Sequence, residues 1–147
     1  MANGVYNRGK FLIGTGLNLN TAALHLVLVA NSYTFNADHN TLVDLEGSEI
    51  TTGTVSGYSR QTLTSTDVVE DDTNDFAYLS AANVTFSTLG TGNTIGGAVL
   101  VANTGGGTTN ANSELLAFYD IVDTPTNGGD ITIQWANTYN GGVLKLA

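Results

Sequence analysis

Residues 124–147 contain the pattern that most constrains the fold. Ile131, Ile133 and Trp135 alternate with polar residues, which is the period-2 pattern of a strand with one buried face and one wet face. Turn residues stand at 127–129 and 140–142, and residues 143–146 predict a closing strand. An isolated two-stranded hairpin is only marginally stable in water. We therefore expect a terminal hairpin that completes a larger sheet, with the Trp135 ring buried.

The remaining apolar segments predict a sheet-rich domain. Residues 17–30 form the strongest apolar run and predict a strand buried on both faces, or on one face with a partner protein on the other. Further strands are predicted at residues 58–64, 67–70, 76–86 with an interruption at 81–83, 94–103 and 114–122. About seven or eight strands separated by turn signals are typical of a β-sandwich or jelly roll. The sequence thus predicts an all-β, single-domain antiparallel sandwich or jelly-roll-like fold.

Helices are expected to be short and few. The 147 residues include 18 glycines, and glycine is costly inside a helix. Residues 1–16 predict an N-terminal arm or one short helical turn, ahead of a β-sandwich domain at 17–147. Two of the four basic residues lie in this arm, which either packs locally or docks on an acidic neighbour. A second short helix is predicted within 41–50, with Asn40 as N-cap, Leu42 and Leu45 on one side, and Gly47 at its end.

Charge and composition exclude several classes of partner. The net charge of −9 argues against nucleic acid, because Lys and Arg supply most of the affinity for phosphates. The chain has no cysteine, so it has neither a disulfide framework nor a thiol nucleophile. No apolar run approaches the roughly 18 residues that span a bilayer. The first residues also lack the order of a secretion signal. We expect neither a nucleic-acid nor a membrane partner.

The two histidines do not predict catalysis. His25 lies inside an apolar strand, where a structural role is the better interpretation. His39 has Asp38 beside it and Asp44 farther on, but the sequence has no Gly-x-Ser-x-Gly elbow to supply a nucleophile. We interpret His39 as a solvated loop residue.

The acidic and glycine-rich segments also lack the spacing of known sites. The carboxylates of residues 67–75 have the oxygen chemistry that Ca²⁺ prefers, but they do not match an EF-hand loop. A solvated charged turn and chance carboxylate pairs are the better interpretation. Gly90 to Gly92, Gly96-Gly97 and Gly105 to Gly107 are interpreted as turns, because no Lys-Ser or Lys-Thr follows them. The sequence predicts no enzyme and no catalytic, cofactor or metal site.

One resemblance sharpens the functional expectation. It is carried by the segments VLVA, YTF at 33–35, DH at 38–39, TLVD at 41–44, TIGGAVLVAN, LLAFYDIVDTPTNGGDITIQW and GGVLKLA. This order resembles small virion structural proteins of tailed bacteriophages, most specifically over residues 115–135. The resemblance implies a non-enzymatic head decoration or cement protein on the outer capsid shell, made in the bacterial host cytoplasm. It also implies a homotrimer whose partner is the major capsid protein or another virion protein.

Two alternatives remain open on the sequence. The first is a neck, tail or head-fibre component that binds a partner protein or a host carbohydrate, with Tyr58, Tyr78 or Tyr139 stacking on sugar rings. The second is a glycosidase that uses paired acids.

Overall fold

The computed structural model describes residues 2–105, 109–135 and 142–146. These residues are mostly β-strands in antiparallel sheets, with one helix of seven or more residues, and the arrangement is β-sandwich-like. The all-β class predicted from the sequence is confirmed, and the jelly-roll connectivity stays a prediction. The elements in chain order are β1 (Gly4–Val5), α1 (Asn7–Gly14), β2 (Ala23–Ala30), a 3₁₀ helix (Leu42–Leu45), β3 (Gln61–Thr62), β4 (Asp67–Asp71), β5 (Phe76–Ser80), β6 (Val84–Phe86), β7 (Thr94–Asn103), a second 3₁₀ helix (Asn110–Asn112), β8 (Ser113–Pro125), β9 (Ile131–Ile133) and β10 (Leu144–Leu146).

The described strands form three sheets. The largest has five strands in the order β1-β8-β7-β2-β3, and smaller sheets have the orders β10-β5-β4 and β6-β9. The predicted strand at 94–103 is confirmed as β7, and the interrupted segment at 76–86 divides into β5 and β6. The predicted strand at 58–64 shortens to the two residues of β3.

The central strands β2 and β7 of the five-stranded sheet are buried on both faces. Leu24, Leu26 and Leu28 of β2 belong to one hydrophobic cluster, while Val27 and Val29 belong to a second. Because successive side chains of a strand point to opposite faces, β2 contributes to two cores. The prediction of a strand buried on both faces is confirmed for residues 24–29 of β2, and the chain itself covers both faces there.

The segment between β2 and β3 supplies the cover for one of these faces. Leu42 and Leu45 of the first 3₁₀ helix are fully buried in the second cluster. The Asp44 carboxylate accepts hydrogen bonds from the backbone N–H groups of Asn40 (2.7 Å) and Thr41 (3.1 Å). The N-cap is Thr41, one residue after the predicted Asn40, and the helix ends at Leu45 before Gly47.

The N-terminal segment is packed against the large sheet. β1 pairs with β8, and the backbone N–H of Tyr6 donates to the carbonyl of Leu116 at 3.0 Å. A Cβ on Gly9 would come within 2.5 Å of the Leu116 carbonyl oxygen, so only glycine permits this approach of α1 to β8. Local packing, one of the two predicted roles of the arm, is the one observed.

The predicted terminal hairpin is wrong in its pairing. β9 pairs with β6, whereas β10 pairs with β5 in a different sheet. Of the turn predicted at 140–142, only Gly142 lies within the described residues. Period-2 alternation determines which side chains face the core, but it does not specify which neighbouring strand supplies the backbone hydrogen bonds.

Gly96 and Gly97 correct a second expectation, because they lie inside β7 and not in a turn. A Cβ on Gly96 would come within 2.4 Å of the Asn31 Cα, and one on Gly97 within 2.4 Å of the Phe118 ring. These glycines therefore permit the close approach of neighbouring segments to β7.

Candidate functional site

His39 lies beside a pair of buried tyrosines. The Tyr33 hydroxyl is 3.0 Å from the Tyr6 hydroxyl and 3.1 Å from Nδ1 of His39. Burial raises the pKa of Tyr6 far above its ordinary value, so its hydroxyl stays protonated. His39 is half-buried and hydrogen-bonded, which corrects the expectation of a merely solvated residue. Its contacts tie the loop after β2 to the second hydrophobic cluster.

His25 lies at the exposed end of β2, opposite Thr62 of β3. Its Nδ1 atom is 3.3 Å from the Thr62 hydroxyl. Burial is the main cause that lowers the pKa of His25, and the positive charge of Arg60 lowers it further. The neutral ring agrees with the structural role that the sequence predicts.

The most connected polar cluster surrounds Arg60. Its guanidinium donates from Nε to Oε1 of Glu49 and from Nη2 to Oε2, both at 2.7 Å. Nη2 also donates to the Asn110 side chain at 2.6 Å. The Tyr58 hydroxyl donates to Glu49 at 3.3 Å and accepts the backbone N–H of Leu28 at 3.2 Å. The cluster therefore joins β2, the 48–60 segment and the second 3₁₀ helix.

The opposite charges of this cluster neutralise each other. The Glu49 side chain is 8% exposed and is neutralised by Arg60 in a two-pronged contact. The hydrogen bonds with Glu49 are the main cause that raises the pKa of Arg60. No sequence pattern predicts this cluster, because Glu49, Arg60 and Asn110 share no local spacing and meet only through the fold.

A second ion pair fastens α1 to the large sheet. Arg8 donates from Nε (3.1 Å) and from Nη2 to the same oxygen, Oε1, of Glu114. Glu114 is 8% exposed, and its other oxygen is buried without a hydrogen-bond partner among the described residues. Burying an unpaired polar atom costs stability, so the pair holds α1 in place at the cost of an imperfectly satisfied carboxylate.

The acidic segment forms the turn between β4 and β5. The Asp71 carboxylate accepts hydrogen bonds from the Asn74 side chain (2.9 Å) and from the backbone N–H groups of Asn74 and Thr73 (3.1 Å each). The Asn74 side chain is the first cause that lowers the pKa of Asp71. Within residues 2–105, 109–135 and 142–146, no three His, Cys, Asp or Glu side chains are placed to hold a metal ion. The arrangement agrees with a solvated charged turn.

Two of the three tyrosines expected to stack on sugars are buried. Tyr58 is 4% exposed and Tyr78 is 6% exposed, so neither ring is available to a carbohydrate. Tyr139 lies outside the described residues. Tyr58 lies outside any strand, and Tyr78 lies on β5, the central strand of its sheet, so their burial depends on tertiary packing that local alternation does not show.

An open groove of about 510 Å³ lies between β1, β8 and β10. Trp135 and Tyr119 line it, and their rings meet edge to face at 5.3 Å. Their polar atoms already have partners within the chain, because Nε1 of Trp135 donates to the Ala82 carbonyl and the Tyr119 hydroxyl donates to the Val143 carbonyl. Trp135 is half-buried and lies beyond the end of β9, which corrects the expectation of a buried strand residue.

The described surface has three large hydrophobic side chains that face solvent. They are Phe11 (56% exposed), Val43 (46%) and Val122 (87%). A search of the described helices finds none with the length and apolar character needed to cross a bilayer.

Comparison of the chain with known protein families, with curated proteins and with solved structures finds no match. The functional conclusion therefore depends on the residues and their geometry, together with the resemblance described above.

Proposed function

We propose that the protein is a non-enzymatic structural component of a tailed-bacteriophage virion, specifically a decoration or cement protein on the outer head shell. The resemblance over residues 115–135 supports this proposal. That stretch forms most of β8, the connection after it, and β9, so it contributes to architecture. The same proposal places synthesis in the bacterial host cytoplasm and assigns the major capsid protein, or another virion protein, as partner.

The distribution of charge is the observation that carries the proposal. Both arginines pair with carboxylates of the same chain, Arg8 with Glu114 and Arg60 with Glu49. Most of the 13 acidic residues are exposed, so the net charge of −9 lies on the surface. Such a surface keeps a protein dispersed at high copy number and disfavours nonspecific binding to nucleic acid. These are properties that a many-copy shell protein needs.

We propose in addition that the protein acts as a homotrimer, with jelly-roll-like connectivity. A cement protein stabilises a shell by burying area across neighbouring subunits, and an oligomer presents several such surfaces at once. Light scattering coupled to size exclusion measures the mass of the purified protein.

Averaged images of particles that contain this protein test the proposed location. We expect density for the domain on the outer face of the head, and we expect removal of the protein to lower the temperature at which heads release their genome. Density at the neck, tail or a fibre would replace decoration with the alternative role. Absence of the protein from purified particles would overturn the virion assignment.

A further inference from the structure

The outward face of α1 carries an unusual set of side chains. Asn7, Lys10, Phe11 and Gly14 are exposed and follow the i, i+3, i+4, i+7 spacing of one helical face. Phe11 stands at the centre of this face with 56% of its surface in solvent. We refer to Lys10, Phe11 and the neighbouring Arg8 as the cationic-aromatic face. Aromatic and arginine side chains are enriched at the centres of protein interfaces.

This face is held in a defined position. The Arg8 guanidinium carbon lies 5.2 Å from the centroid of the Phe11 ring, and the same guanidinium is fixed by the buried Glu114. Gly9 sets α1 against the backbone of Leu116 on the opposite side. A side chain that is already ordered loses less entropy on binding, so the face is preorganised for a partner.

The chain also contains a surface of complementary chemistry. A shallow depression beside the β4–β5 turn has the half-buried Val68 and Ala77 as its apolar wall, with Phe76 beneath them. Phe76 is 8% exposed, and Nζ of Lys145 lies 4.2 Å from the centroid of its ring. The acidic rim of the depression consists of Glu70, Asp71, Asp72 and Asp75. We refer to these residues as the acidic depression. It combines apolar surface with negative charge, the two properties that complement the exposed Phe11 and Lys10, since the charge of Arg8 is already neutralised by Glu114.

We propose that the cationic-aromatic face of one copy docks in the acidic depression of a second copy. Phe11 meets the apolar wall, and Lys10 lies against the acidic rim. Two acidic depressions repel each other, so charge favours a head-to-tail contact over a symmetric contact between two acidic depressions. Head-to-tail contacts close into rings when the rotation allows it and otherwise form open chains. This inference names the surfaces for the self-association that is part of the proposed function.

Sedimentation of the full-length purified protein over a wide concentration range tests the contact. We expect the average mass to rise with concentration at about 0.1 M ionic strength, where the repulsion between two copies of net charge −9 is screened beyond about 10 Å and the contact between Lys10 and the acidic rim is retained. A mass equal to the monomer at every concentration at that ionic strength would overturn the proposal.

Four variants identify the two surfaces. We expect Phe11→Ser, Lys10→Glu and Asp72→Lys each to weaken association by about tenfold or more, which corresponds to about 1.4 kcal/mol. Val43→Ser is the matched apolar control, since Val43 is 46% exposed on a different segment. It is expected to associate like the wild type. Circular dichroism and thermal melting of each variant show that the fold is retained.

A mixing experiment separates head-to-tail docking from any symmetric contact. In an equimolar mixture, the unchanged helix of Asp72→Lys can dock in the unchanged depression of Lys10→Glu. We expect the mixture to form dimers that neither variant forms alone. Wild-type association of both separate variants, or a mixture that stays monomeric, would overturn the contact. Neither result bears on where the protein lies in a virion, so the two proposals fail separately.

Discussion

At the scale of single residues, the chain from Tyr6 through Tyr33 to His39 shows how a polar core contact is built. The two tyrosines come from segments 27 positions apart, and Tyr6 is fully buried. A buried hydroxyl without a partner costs stability, whereas removal of both partners costs much less.

We expect Tyr33→Phe to lower the free energy of unfolding by about 1–3 kcal/mol, because it leaves the Tyr6 hydroxyl unpaired. The Tyr6→Phe and Tyr33→Phe double variant is expected to lose less than the sum of the two single changes. Urea denaturation of all four proteins measures this coupling. Strictly additive losses would show that the two hydroxyls do not depend on each other.

Trp135 gives a second expectation at this scale. Its ring is half-buried, packs on Tyr119 and donates one hydrogen bond. Full burial of a tryptophan corresponds to about 3–5 kcal/mol on replacement by alanine, so we expect Trp135→Ala to cost less than about 3 kcal/mol. Guanidinium denaturation measures the difference, and a loss above that range would indicate a ring more deeply packed than its exposure shows.

At the scale of elements, the position of α1 depends on the close approach of Gly9 to β8. A Cβ at Gly9 would meet backbone atoms of Leu116 at 2.5 and 2.8 Å, and backbone atoms cannot move aside as a flexible side chain can. Gly14 lies at the end of the same helix, and a Cβ there would meet nothing within 4 Å.

We expect Gly9→Ala to destabilise the protein by about 1–3 kcal/mol through overpacking. Gly14→Ala is the matched control and is expected to be neutral or to stabilise by up to about 1 kcal/mol, since alanine favours the helix. Thermal melting compares the two variants. Equal effects of the two changes would contradict the close approach of α1 to β8.

At the scale of the whole molecule, acid is expected to destabilise the fold in two steps. The pKa of His25 is lowered by folding, so the unfolded chain takes up a proton first as the pH falls. The stability contributed by the neutral ring is complete above about pH 6.5 and is lost as the pH falls through the folded-state pKa. Asp44 acts in the same direction below about pH 4, because its backbone hydrogen bonds lower its pKa.

Urea denaturation between neutral pH and about pH 3 measures this dependence. His25→Gln retains a polar side chain beside Thr62 but does not titrate, so we expect its stability to fall less than that of the wild type as the pH drops below about 6.5. Identical pH profiles for the two proteins would remove His25 as the cause of the first step.

The two proposed docking surfaces were only partly predictable from the sequence. The acids at 67–75 and the basic residues near the N-terminus were identifiable by composition, and their roles as a depression and a helical face were not. Phe11 is exposed because Gly9 turns the opposite side of α1 toward β8, and this orientation depends on a contact with Leu116. Local pattern carries no information about a contact between residues so far apart.

The sequence by itself determined the all-β class, the burial of at least one face of β2 and the acidic surface, because alternation, apolar runs and net charge do not depend on which segments meet. The structure decided that the chain itself, and not a partner, covers the second face of β2. Only the tertiary structure decided that β9 pairs with β6 and β10 with β5. It also brought Arg8 to Glu114, 106 positions away, and Arg60 to Glu49. Strand partners and ion pairs depend on how connections close and surfaces pack, and a period-2 pattern is compatible with several such arrangements.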